Sequence, residues 1–468
     1  MRKDLPKGWE LINVHEAAKE LFAGGDVPKN RMSKEWTEEF QIPIYGNGLS
    51  ESGLYGFTDV PKVDQECITI SARGTIGFPV YRTTPFYPIV RLIVLIPKPS
   101  LNTRYIFYYL KSVDFINTGT SIPQLTVPQV KQLNIPLPPL PEQQRIIAKL
   151  DAVFGHLDRV REKLDRIPEL LKNFRQQVLT QAVTGELTRE WREGKDLREW
   201  EENLISFLKE RETVFFNSFK IKTDKIRKPE YINHPLTDLK KAAIQGWLKG
   251  PIGLICDSIV PGRDKPKSFS GEIPWVTMPI LKNEIINKTD AELFLTEEEI
   301  QSAKAKVIPN GSVVMSIVGR FGIASILNCE AVINQQLHAF LPCPILAPKF
   351  LFYQILTSEK YLNDISTSTT VAYINKTNAN SLPVNIPPIE EQEEIIKQVE
   401  TLFSLADKIE SQYQSLKAKT AQLPQAVLAK AFRGELVGQE VKEYVREAGE
   451  VLMAAEEVEP YQNSANKA

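Results

Sequence analysis

The sequence lacks the long apolar runs that would mark a membrane or secreted protein. Nowhere in its 468 residues does an uncharged apolar stretch approach the roughly 18 residues that a transmembrane helix needs. The N-terminal segment MRKDLPKGWELINV is charged and is not followed by the apolar stretch of a secretory signal. We therefore expect a cytoplasmic protein.

Cysteine and histidine are scarce. The four cysteines form no C-x-x-C pair, and none lies at metal-ligand spacing from one of the four scattered histidines. This pattern predicts four small buried thiols in a reducing compartment and gives no basis for a metal site or a catalytic histidine. The cysteines are Cys67, Cys256, Cys329 and Cys343.

Motifs of enzymatic chemistry are also missing. No G-x-x-x-x-G-K-[ST] loop occurs, so the sequence contains no Walker-type ATP site. An adenine methyltransferase would need a glycine-rich cofactor loop and an Asn/Asp-Pro-Pro-aromatic motif. The nearest match runs from Asn385 to Ile389, has an inserted isoleucine and lacks the aromatic residue. An enzyme acting on its own is therefore disfavoured.

The net charge of −1 lacks the basic excess of a free-standing DNA-binding protein. By direct count, residues 1–140 carry 15 basic and 13 acidic groups, and residues 241–388 carry 13 and 12. If the chain binds nucleic acid, partner chains must supply much of the attraction to phosphate.

The chain does contain one helical segment twice, in ungapped register 249 residues apart. The first copy begins PPLPEQQRII at Pro138, and the second begins PPIEEQEEII at Pro387. Each copy ends in Gly-Glu-Leu, and fifteen of the fifty aligned positions are identical. A period this long exceeds any solenoid repeat, so it indicates duplication of a whole domain plus a helix.

Within each copy, apolar residues recur at alternating spacings of four and three, which predicts coiled-coil packing. The prolines at 168 and 424 should kink or interrupt their helices, and we interpret them as bends in a long rod. Gly185 and Gly434 stand where a left-handed cap would end each helix. The first seam is Ile146, Leu150, Val153, Leu157, Val160, Leu164, Ile167, Leu171, Phe174 and Val178. The second is Ile395, Val399, Leu402, Ala406, Ile409, Tyr413, Leu416, Thr420, Leu423 and Val427.

The segments before the two helices alternate short β-rich runs, glycine and proline turns and a helical stretch, which predicts mixed domains. Residues 241–386 repeat the pattern of residues 1–137: Gly246-Trp247 matches Gly8-Trp9, and the turn at Ser316 matches that at Ser71. The fold class is therefore α+β, with two domains and two long coiled-coil helices at 138–187 and 387–436. A charged connector at 188–240 contains an amphipathic piece and a basic patch, and an acidic tail occupies 437–468.

This order, with its doubled P-P-φ-x-E-Q-x-x-I-I junction and its doubled G-E-L ending, resembles the specificity subunits of type I restriction–modification enzymes. The resemblance covers nearly the whole chain, to about residue 437. It implies two target-recognition domains, each reading half of a split site in double-stranded DNA. It further implies that the two helices pack antiparallel between the domains as a spacer and dock two methyltransferase subunits, with two restriction subunits added for cleavage.

By the same resemblance, this chain has no active site and binds no cofactor. S-adenosylmethionine, ATP and Mg would be used by the partner subunits. A scaffold whose two globular domains bind proteins is the alternative, favoured by the near-neutral charge. Against it, the repeated helices are alike whereas the domains between them have diverged, as separate readers of different sequences would.

Base-reading residues are expected in loops at the domain edges, as cationic, amide and hydroxyl side chains near glycine turns. In the first domain the candidates are Tyr45, Asn47, Arg73, Thr75, Thr120, Ser121 and Gln124. In the second they are Arg320, Asn334, Gln335, Thr367, Thr369, Tyr373 and Lys376. Candidates for partner docking lie off the seam and are identical in both copies, although packing against the neighbouring domain is an equal alternative. They are Ile147 and Phe154, with Ile396 and Phe403.

Overall fold

The structure is a computed structural model, and it describes residues 5–48, 50–115, 124–220, 239–242, 244–262, 265–367 and 371–436. The chain divides into two compact units, whose boundaries fall inside the two long helices rather than at the domain ends expected from the sequence. Unit 1 comprises residues 1–166 and 412–468, and unit 2 comprises residues 167–411.

Unit 1 is a mixed α/β unit. Its strands are β1 (Glu10–Asn13), β2 (Ala18–Ala23), β3 (Ile42–Tyr45), β4 (Leu54–Thr58), β5 (Cys67–Ile70), β6 (Pro79–Arg82), β7 (Tyr87–Pro88), β8 (Ile93–Pro97) and β9 (Asn134–Leu137). Its helices are α1 (Val14–Ala17), α2 (Thr103–Ser112), α3 (Val127–Lys131) and the long α4 (Leu140–Val183), which continues into unit 2, plus a 3-10 turn at Ser50–Gly53.

Unit 2 contains the remaining elements. Its helices are α5 (Arg189–Arg192), α6 (Arg198–Lys220), α7 (Ile252–Ile255), α8 (Glu297–Ser302), α9 (Pro348–Leu356), α10 (Glu359–Asp364), α11 (Lys376–Asn380) and the long α12 (Ile389–Ala431), which continues into unit 1. Its strands are β10 (Lys240–Lys241), β11 (Leu248–Pro251), β12 (Ser258–Ile259), β13 (Ile273–Val276), β14 (Ile285–Ile286), β15 (Phe294–Leu295), β16 (Val313–Ser316), β17 (Ala324–Leu327), β18 (Val332–Ile333), β19 (Leu337–Phe340) and β20 (Pro383–Ile386). Two 3-10 turns lie at Met278–Ile280 and Lys288–Asp290.

The two units share one sheet topology although their sequences differ. In unit 1 the sheets run β1-β9, β2-β8-β5-β6 and β4-β3-β7. In unit 2 the matching orders are β11-β20, β12-β19-β16-β17 and β15-β13-β18, with β10 and β14 added at edges. Even the strand directions agree, since β3 pairs antiparallel with β4 and parallel with β7, as β13 does with β15 and β18. The duplication predicted from the helices therefore extends to the domains.

The central strands are buried on both faces. Along β8, Ile93 and Leu95 enter the core that contains the start of α4, whereas Val94 and Ile96 enter a second cluster with Val63 and Phe86. Because successive side chains point to opposite faces of a strand, a strand covered on both sides reads as a continuous apolar run. This explains the sequence IVLI.

Both long helices begin two residues after the predicted starts at 138 and 387, and most positions of the predicted seams are buried. Eight of the ten positions of the first seam are buried, and Ile167 and Phe174 are half-buried. In unit 1 the guanidinium of Arg161 donates to the carbonyl of Thr420 at 3.1 Å, and in unit 2 Arg175 pairs with Asp407 at 2.7 Å. In each unit the early part of one helix thus lies along the late part of the other, so the packing is antiparallel.

The helix ends are glycine caps, as predicted. Gly185 and Gly434 have φ of 74° and 76°, a left-handed conformation that favours glycine. Pro168 and Pro424 lie inside continuous helices, so neither proline interrupts its helix. Each removes one hydrogen bond, at a cost of about 3 kcal/mol. Burial of seam side chains on both sides of each proline offsets this cost.

The connector at 188–240 is partly structured in unit 2. Leu204 and Leu208 on α6 are buried in the unit's core, beside the half-buried Trp200. The expected basic patch starts at Lys220, the last residue of α6, and its remaining members at 222–228 lie outside the described residues, as does the tail from 437. None of the described helices is long and apolar enough to span a membrane. The expectation of four buried thiols is wrong for two, since Cys329 and Cys343 are partly exposed.

Candidate nucleic-acid interface

A glycine turn joins β5 to β6 in unit 1. Gly74 and Gly77 have φ of 72° and 77°, and the amide of Gly77 donates to the carbonyl of Ser71 at 2.8 Å. A Cβ at Gly77 would lie 2.2 Å from the Phe115 ring, whereas one at Gly74 would meet nothing within 4 Å. Gly77 therefore lets the base of the turn pack closely against Phe115. Gly74 lies at the tip of the turn, and its neighbours Arg73 and Thr75 are exposed.

Unit 2 carries the equivalent turn between β16 and β17. Gly319 and Gly322 have φ of 80° and 70°, and Arg320 is exposed at the tip. A Cβ at Gly322 would lie 2.9 Å from the Cβ of Glu359, whereas one at Gly319 would meet nothing within 4 Å. As in unit 1, the second glycine, Gly322, packs closely against a neighbouring residue, and the first, Gly319, lies at the open tip of the turn. Since Gly74 aligns with Gly319, Arg320 occupies the position of Thr75 rather than of Arg73.

In both units the turn is hydrogen-bonded to the segment that leads to the last strand of the domain. The amide of Leu125 donates to the carbonyl of Ala72 at 3.0 Å, and that of Ile374 donates to Ile317 at 2.9 Å. These bonds are equivalent in the two copies. They bring residues far apart in the sequence to one edge of each unit.

Several predicted residues therefore meet. In unit 1 a guanidinium nitrogen of Arg73 donates to the side-chain oxygen of Gln124 at 3.1 Å, with Thr75 one residue beyond the turn glycine. In unit 2, Thr367 and Tyr373 pair through their backbones, and Tyr373 bridges to Val318 beside Arg320. Arg320, Thr367 and Tyr373 are exposed. Cationic, hydroxyl, amide and phenol groups at one edge can form hydrogen bonds with base edges and phosphates.

Asn334 and Gln335 form a second turn beside this one. The side-chain oxygen of Asn334 accepts from the amide of Gln336 at 3.1 Å, and the amide of Ile317 donates to the carbonyl of Gln336 at 3.0 Å. Asn334 shapes the turn, whereas Gln335 and Gln336 form its tip. Lys376 begins α11 nearby, and its charge acts on the buried His338.

Two predicted readers have structural roles instead. The ring of Tyr45 is covered by the guanidinium of Arg82, 3.4 Å from its centroid. The side chain of Asn47 accepts from the amide of Ala72 at 2.7 Å and donates to the carbonyl of Val90 at 2.7 Å. Tyr45 is thus a packing residue and Asn47 connects two loops. Thr120, Ser121 and Thr369 lie outside the described residues.

Arg82 is a residue that sequence reasoning missed. It is buried, donates to Thr69 at 3.1 Å and to the carbonyl of Ser52 at 2.5 Å, and contacts the ring of Tyr45. Burial lowers its pKa, although the neighbouring tyrosine opposes the shift. An arginine in an otherwise β-rich segment gave no signal that its partner would be the carbonyl of Ser52, thirty residues away.

The repeated junction motif holds the start of each long helix. Gln143 donates to the carbonyl of Pro138 at 2.8 Å, and Gln392 donates to that of Pro387 at 2.9 Å. The preceding glutamates differ in surroundings, since Glu142 is half-buried whereas Glu391 is fully buried. The motif is therefore structural.

The two Gly-Trp motifs pack against the two Gly-Glu-Leu helix ends. In unit 1 a Cβ on Gly434 would lie 3.6 Å from the Trp9 ring, and in unit 2 one on Gly185 would lie 3.1 Å from the Trp247 ring. The first domain thus begins beside the end of α12, and the second domain begins beside the end of α4.

An equivalent ion pair fixes a domain helix to a long helix in each unit. Arg104 on α2 pairs with Asp151 on α4 at 2.7 Å, and Lys349 on α9 pairs with Glu400 on α12. Tyr108 also donates to Asp151 at 2.5 Å. In each unit, therefore, an ion pair between equivalent positions connects the domain to its long helix.

The four docking candidates pack within their own units. Ile147 is 7% exposed, and Phe154 stacks on Tyr108 with ring centroids 5.5 Å apart. Ile396 and Phe403 are half-buried against the core of unit 2. For Ile147 this burial contradicts the exposed docking role and matches the packing alternative.

Comparison with known proteins supports the duplication. The family "Type I restriction modification DNA specificity domain" matches residues 6–169 and again 246–418. The EcoDI specificity subunit of Escherichia coli is 25% identical over 450 residues, covering 93% of this chain and 90% of that protein. The StySPI specificity subunit of Salmonella potsdam is 26% identical over 465 residues, covering 94% and 91%.

Among solved structures, the HsdS subunit of Thermoanaerobacter tengcongensis matches with a TM-score of 0.58 at 18% identity, covering 93% of this chain and 99% of that one. A chain from a study of assembly and conformational transition in a type I system matches with a TM-score of 0.59 at 19% identity, covering 93% and 100%. At this identity the likeness shows the fold.

Two similar units with exposed polar turns, joined to two shared helices, define a DNA-specificity protein. With both units matched by the family, the chain belongs to the specificity subunits of type I restriction–modification systems.

Proposed function

We propose that each unit reads one half of a bipartite site in double-stranded DNA through its glycine turn and the segment bonded to that turn. The observation that carries this proposal is the equivalent pair of hydrogen bonds, Leu125 to Ala72 and Ile374 to Ile317, in units whose exposed residues differ. The geometry is the same, but the side chains at the tips are Arg73 and Thr75 in one unit and Arg320 in the other. Turns with the same backbone geometry but different exposed side chains suit the reading of two different half-site sequences.

The shared helices carry both reading units and set the number of unread base pairs between the half-sites. They also dock two methyltransferase subunits, and through these two restriction subunits. The half-buried Phe403 and the exposed Leu170 and Leu405 offer apolar surface on the helix portions within unit 2. The chain itself is non-catalytic and acts in the cytoplasm. The partner subunits, rather than this chain, use S-adenosylmethionine, ATP and Mg.

Partner subunits must supply part of the attraction to DNA. Residues 1–140 have an excess of two basic groups and residues 241–388 an excess of one. Affinity for duplex DNA rises with the number of phosphates neutralised, so such small excesses predict weak binding by the chain alone. With the methyltransferase added, we expect tight binding to one split site.

The test is an exchange of residues 1–137 for those of a relative, in the full chain expressed with its methyltransferase partner. Mapping methylated adenine in the host genome should show one changed half-site, with the other half and the spacing retained. Exchange of residues 241–386 is the matched control and should change the opposite half. Alteration of both halves by either exchange would contradict independent reading.

The alternative of a protein-binding scaffold makes a different prediction. A scaffold would leave the methylated sequence unchanged after either exchange and would lose a protein partner instead. Co-purification of the methyltransferase with each chimera distinguishes the two cases, since the helices that dock it are intact.

A further inference from the structure

A turn in unit 1 contains two consecutive residues that are not glycine and yet have left-handed backbone. Val90 has φ of 52° and Arg91 has φ of 61°. A β-branched residue in this region is a rare outlier, because its Cβ crowds the following carbonyl. Such strain persists where surrounding structure enforces it, and it concentrates at functional sites.

Three backbone hydrogen bonds and one from the side chain of Asn47 enforce this conformation. The amide of Val90 donates to the carbonyl of Gly25 at 2.8 Å, and that of Arg91 donates to Gly24 at 3.0 Å. The amide of Leu92 donates to Ile89 at 3.0 Å, and Asn47 donates to the carbonyl of Val90. A Cβ at Gly24 would lie 2.7 Å from the backbone of Pro88, so glycine is required there for the chains to approach.

The enforced turn exposes both side chains. Val90 is 48% exposed and Arg91 is also exposed. Glycine or asparagine at position 90 would adopt this backbone with less strain than valine. The structure instead presents an apolar group and a guanidinium side by side.

This turn is the counterpart of the Gln335–Gln336 turn in unit 2. In unit 1 the amide of Ile89 donates to the carbonyl of Tyr45 at the end of β3, and in unit 2 that of Asn334 donates to Val276 at the end of β13. The bond from Leu92 to Ile89 likewise matches that from Leu337 to Asn334. Val90 and Arg91 therefore align with Gln335 and Gln336.

The turn also lies beside the Arg73 turn. In unit 2 the amide of Ile317 bonds directly to the carbonyl of Gln336. In unit 1 the equivalent amide, that of Ala72, reaches the carbonyl of Val90 through the side chain of Asn47, with both bonds at 2.7 Å. Asn47 thus joins two exposed turns into one surface that contains Arg73, Gln124, Val90 and Arg91.

We propose that the Val90–Arg91 turn is a second base-reading element of unit 1, in which Arg91 contacts a guanine edge and Val90 makes an apolar contact with the neighbouring base. Arginine pairs with the two acceptors of guanine in the major groove, and small apolar groups contact the thymine methyl. The inference rests on the proposed reading of one half-site by unit 1. It assigns specificity to residues that sequence reasoning did not select.

The experiment uses the full chain with its methyltransferase partner. The wild-type site is first read from the host methylome, and methylation rates are then measured on duplexes that carry each single base-pair substitution of it. Arg91→Ala should reduce discrimination at one guanine-containing pair of the unit 1 half-site on the order of tenfold. If the overall rate becomes too low, Arg91→Lys keeps the charge and removes the two-pronged hydrogen bonding.

Lys98→Ala is the matched control, because Lys98 is exposed just beyond the opposite end of β8 from Arg91. It should leave every ratio unchanged. An unaltered profile in both Arg91 variants overturns the inference. If exchange of residues 1–137 changes one half-site while the Arg91 variants do not alter that half, the inference alone fails. Alteration of both halves by the exchange would show that the proposed function fails.

A second variant separates reading from folding. Asparagine tolerates left-handed backbone, so Val90→Asn should leave the thermal midpoint equal or higher while it changes preference at a base pair next to that of Arg91. Loss of stability with an unchanged preference would mean that Val90 is a packing residue and would overturn its reading role.

Discussion

The indole nitrogen of Trp247 donates to the carboxylate of Glu391 at 2.8 Å, inside unit 2. Glu391 is fully buried and also accepts from Thr188 at 2.7 Å and from the guanidinium of Arg192. One carboxylate therefore joins the Gly-Trp motif, the start of α12 and the segment that follows α4. A buried charge with several partners destabilises strongly when one partner is removed.

Glu391→Ala should lower the free energy of unfolding by about 3 to 5 kcal/mol, because it leaves the Arg192 guanidinium without a carboxylate partner and the indole N–H of Trp247 without an acceptor. Urea titration of the purified chain measures this. The matched control is Glu142→Ala, at the equivalent and half-buried position of the first copy, where we expect less than about 1 kcal/mol. Equal effects at both positions would show that the network around Glu391 does not stabilise unit 2.

The two turn glycines of each unit should respond differently to alanine. Gly77→Ala places a Cβ 2.2 Å from the Phe115 ring and also strains a left-handed backbone, so we expect a loss of more than about 3 kcal/mol. Gly74→Ala meets no atom within 4 Å and should cost about 1 to 2 kcal/mol, from backbone strain alone. Thermal unfolding measures both, and Gly322 and Gly319 repeat the comparison in unit 2. Equal costs within a pair would contradict the packing role.

The features that the sequence predicted well are governed by local or periodic rules. The seam from Ile146 to Val178 follows heptad spacing, and the caps at Gly185 and Gly434 need one conformational property of one residue. The roles of Asn47 and Arg82 were missed because their partners, Val90 and Ser52, are 43 and 30 residues away. The Val90–Arg91 turn was missed because neither residue type favours a left-handed backbone, which hydrogen bonds from neighbouring loops enforce here.

His338 should make the stability of unit 2 depend on pH. It is fully buried in β19, and neither ring nitrogen has a hydrogen-bond partner among the described residues. Burial, and then the charge of Lys376, lowers its pKa to about 3. The unfolded chain therefore binds a proton below pH 6.5 that the folded chain does not. Stability is complete above pH 6.5 and is lost as the pH falls toward 3.

Between pH 7.5 and 5.5 the loss should be about 1.4 kcal/mol, measured by urea titration at the two values. His338→Leu should remove this difference, since the register places the apolar Ile93 at the equivalent position opposite Ile70. Retention of the full pH dependence in the variant would show that other groups cause it.

Cys343 should be the most reactive thiol among the four. The neighbouring Cys256 thiol lowers the pKa of Cys343 despite partial burial, with help from backbone amides at 345 and 346 and from Arg211. Because the thiolate is the nucleophile, alkylation by iodoacetamide should reach half its maximal rate at a lower pH for Cys343 than for Cys329. Cys329 is the matched control, since it is also partly exposed but burial raises its pKa. Mass spectrometry of labelled peptides distinguishes the two, and Cys256→Ser should move the Cys343 profile to higher pH.

Arg73 and Arg320 should each affect one half of the recognised site. Both are exposed on equivalent glycine turns, but they stand at positions on either side of the turn glycine, so they should contact different places in their half-sites. Arg73→Ala should reduce discrimination at one base pair by about 1 to 3 kcal/mol and leave the half-site of unit 2 unchanged. Arg320→Ala should do the reverse.

Methylation rates on singly substituted duplexes measure both effects. Gln124→Ala should partly reproduce the Arg73 variant, because it removes the 3.1 Å hydrogen bond that orients the guanidinium. A uniform loss of rate on all duplexes, without a change in preference, would instead make Arg73 a phosphate contact.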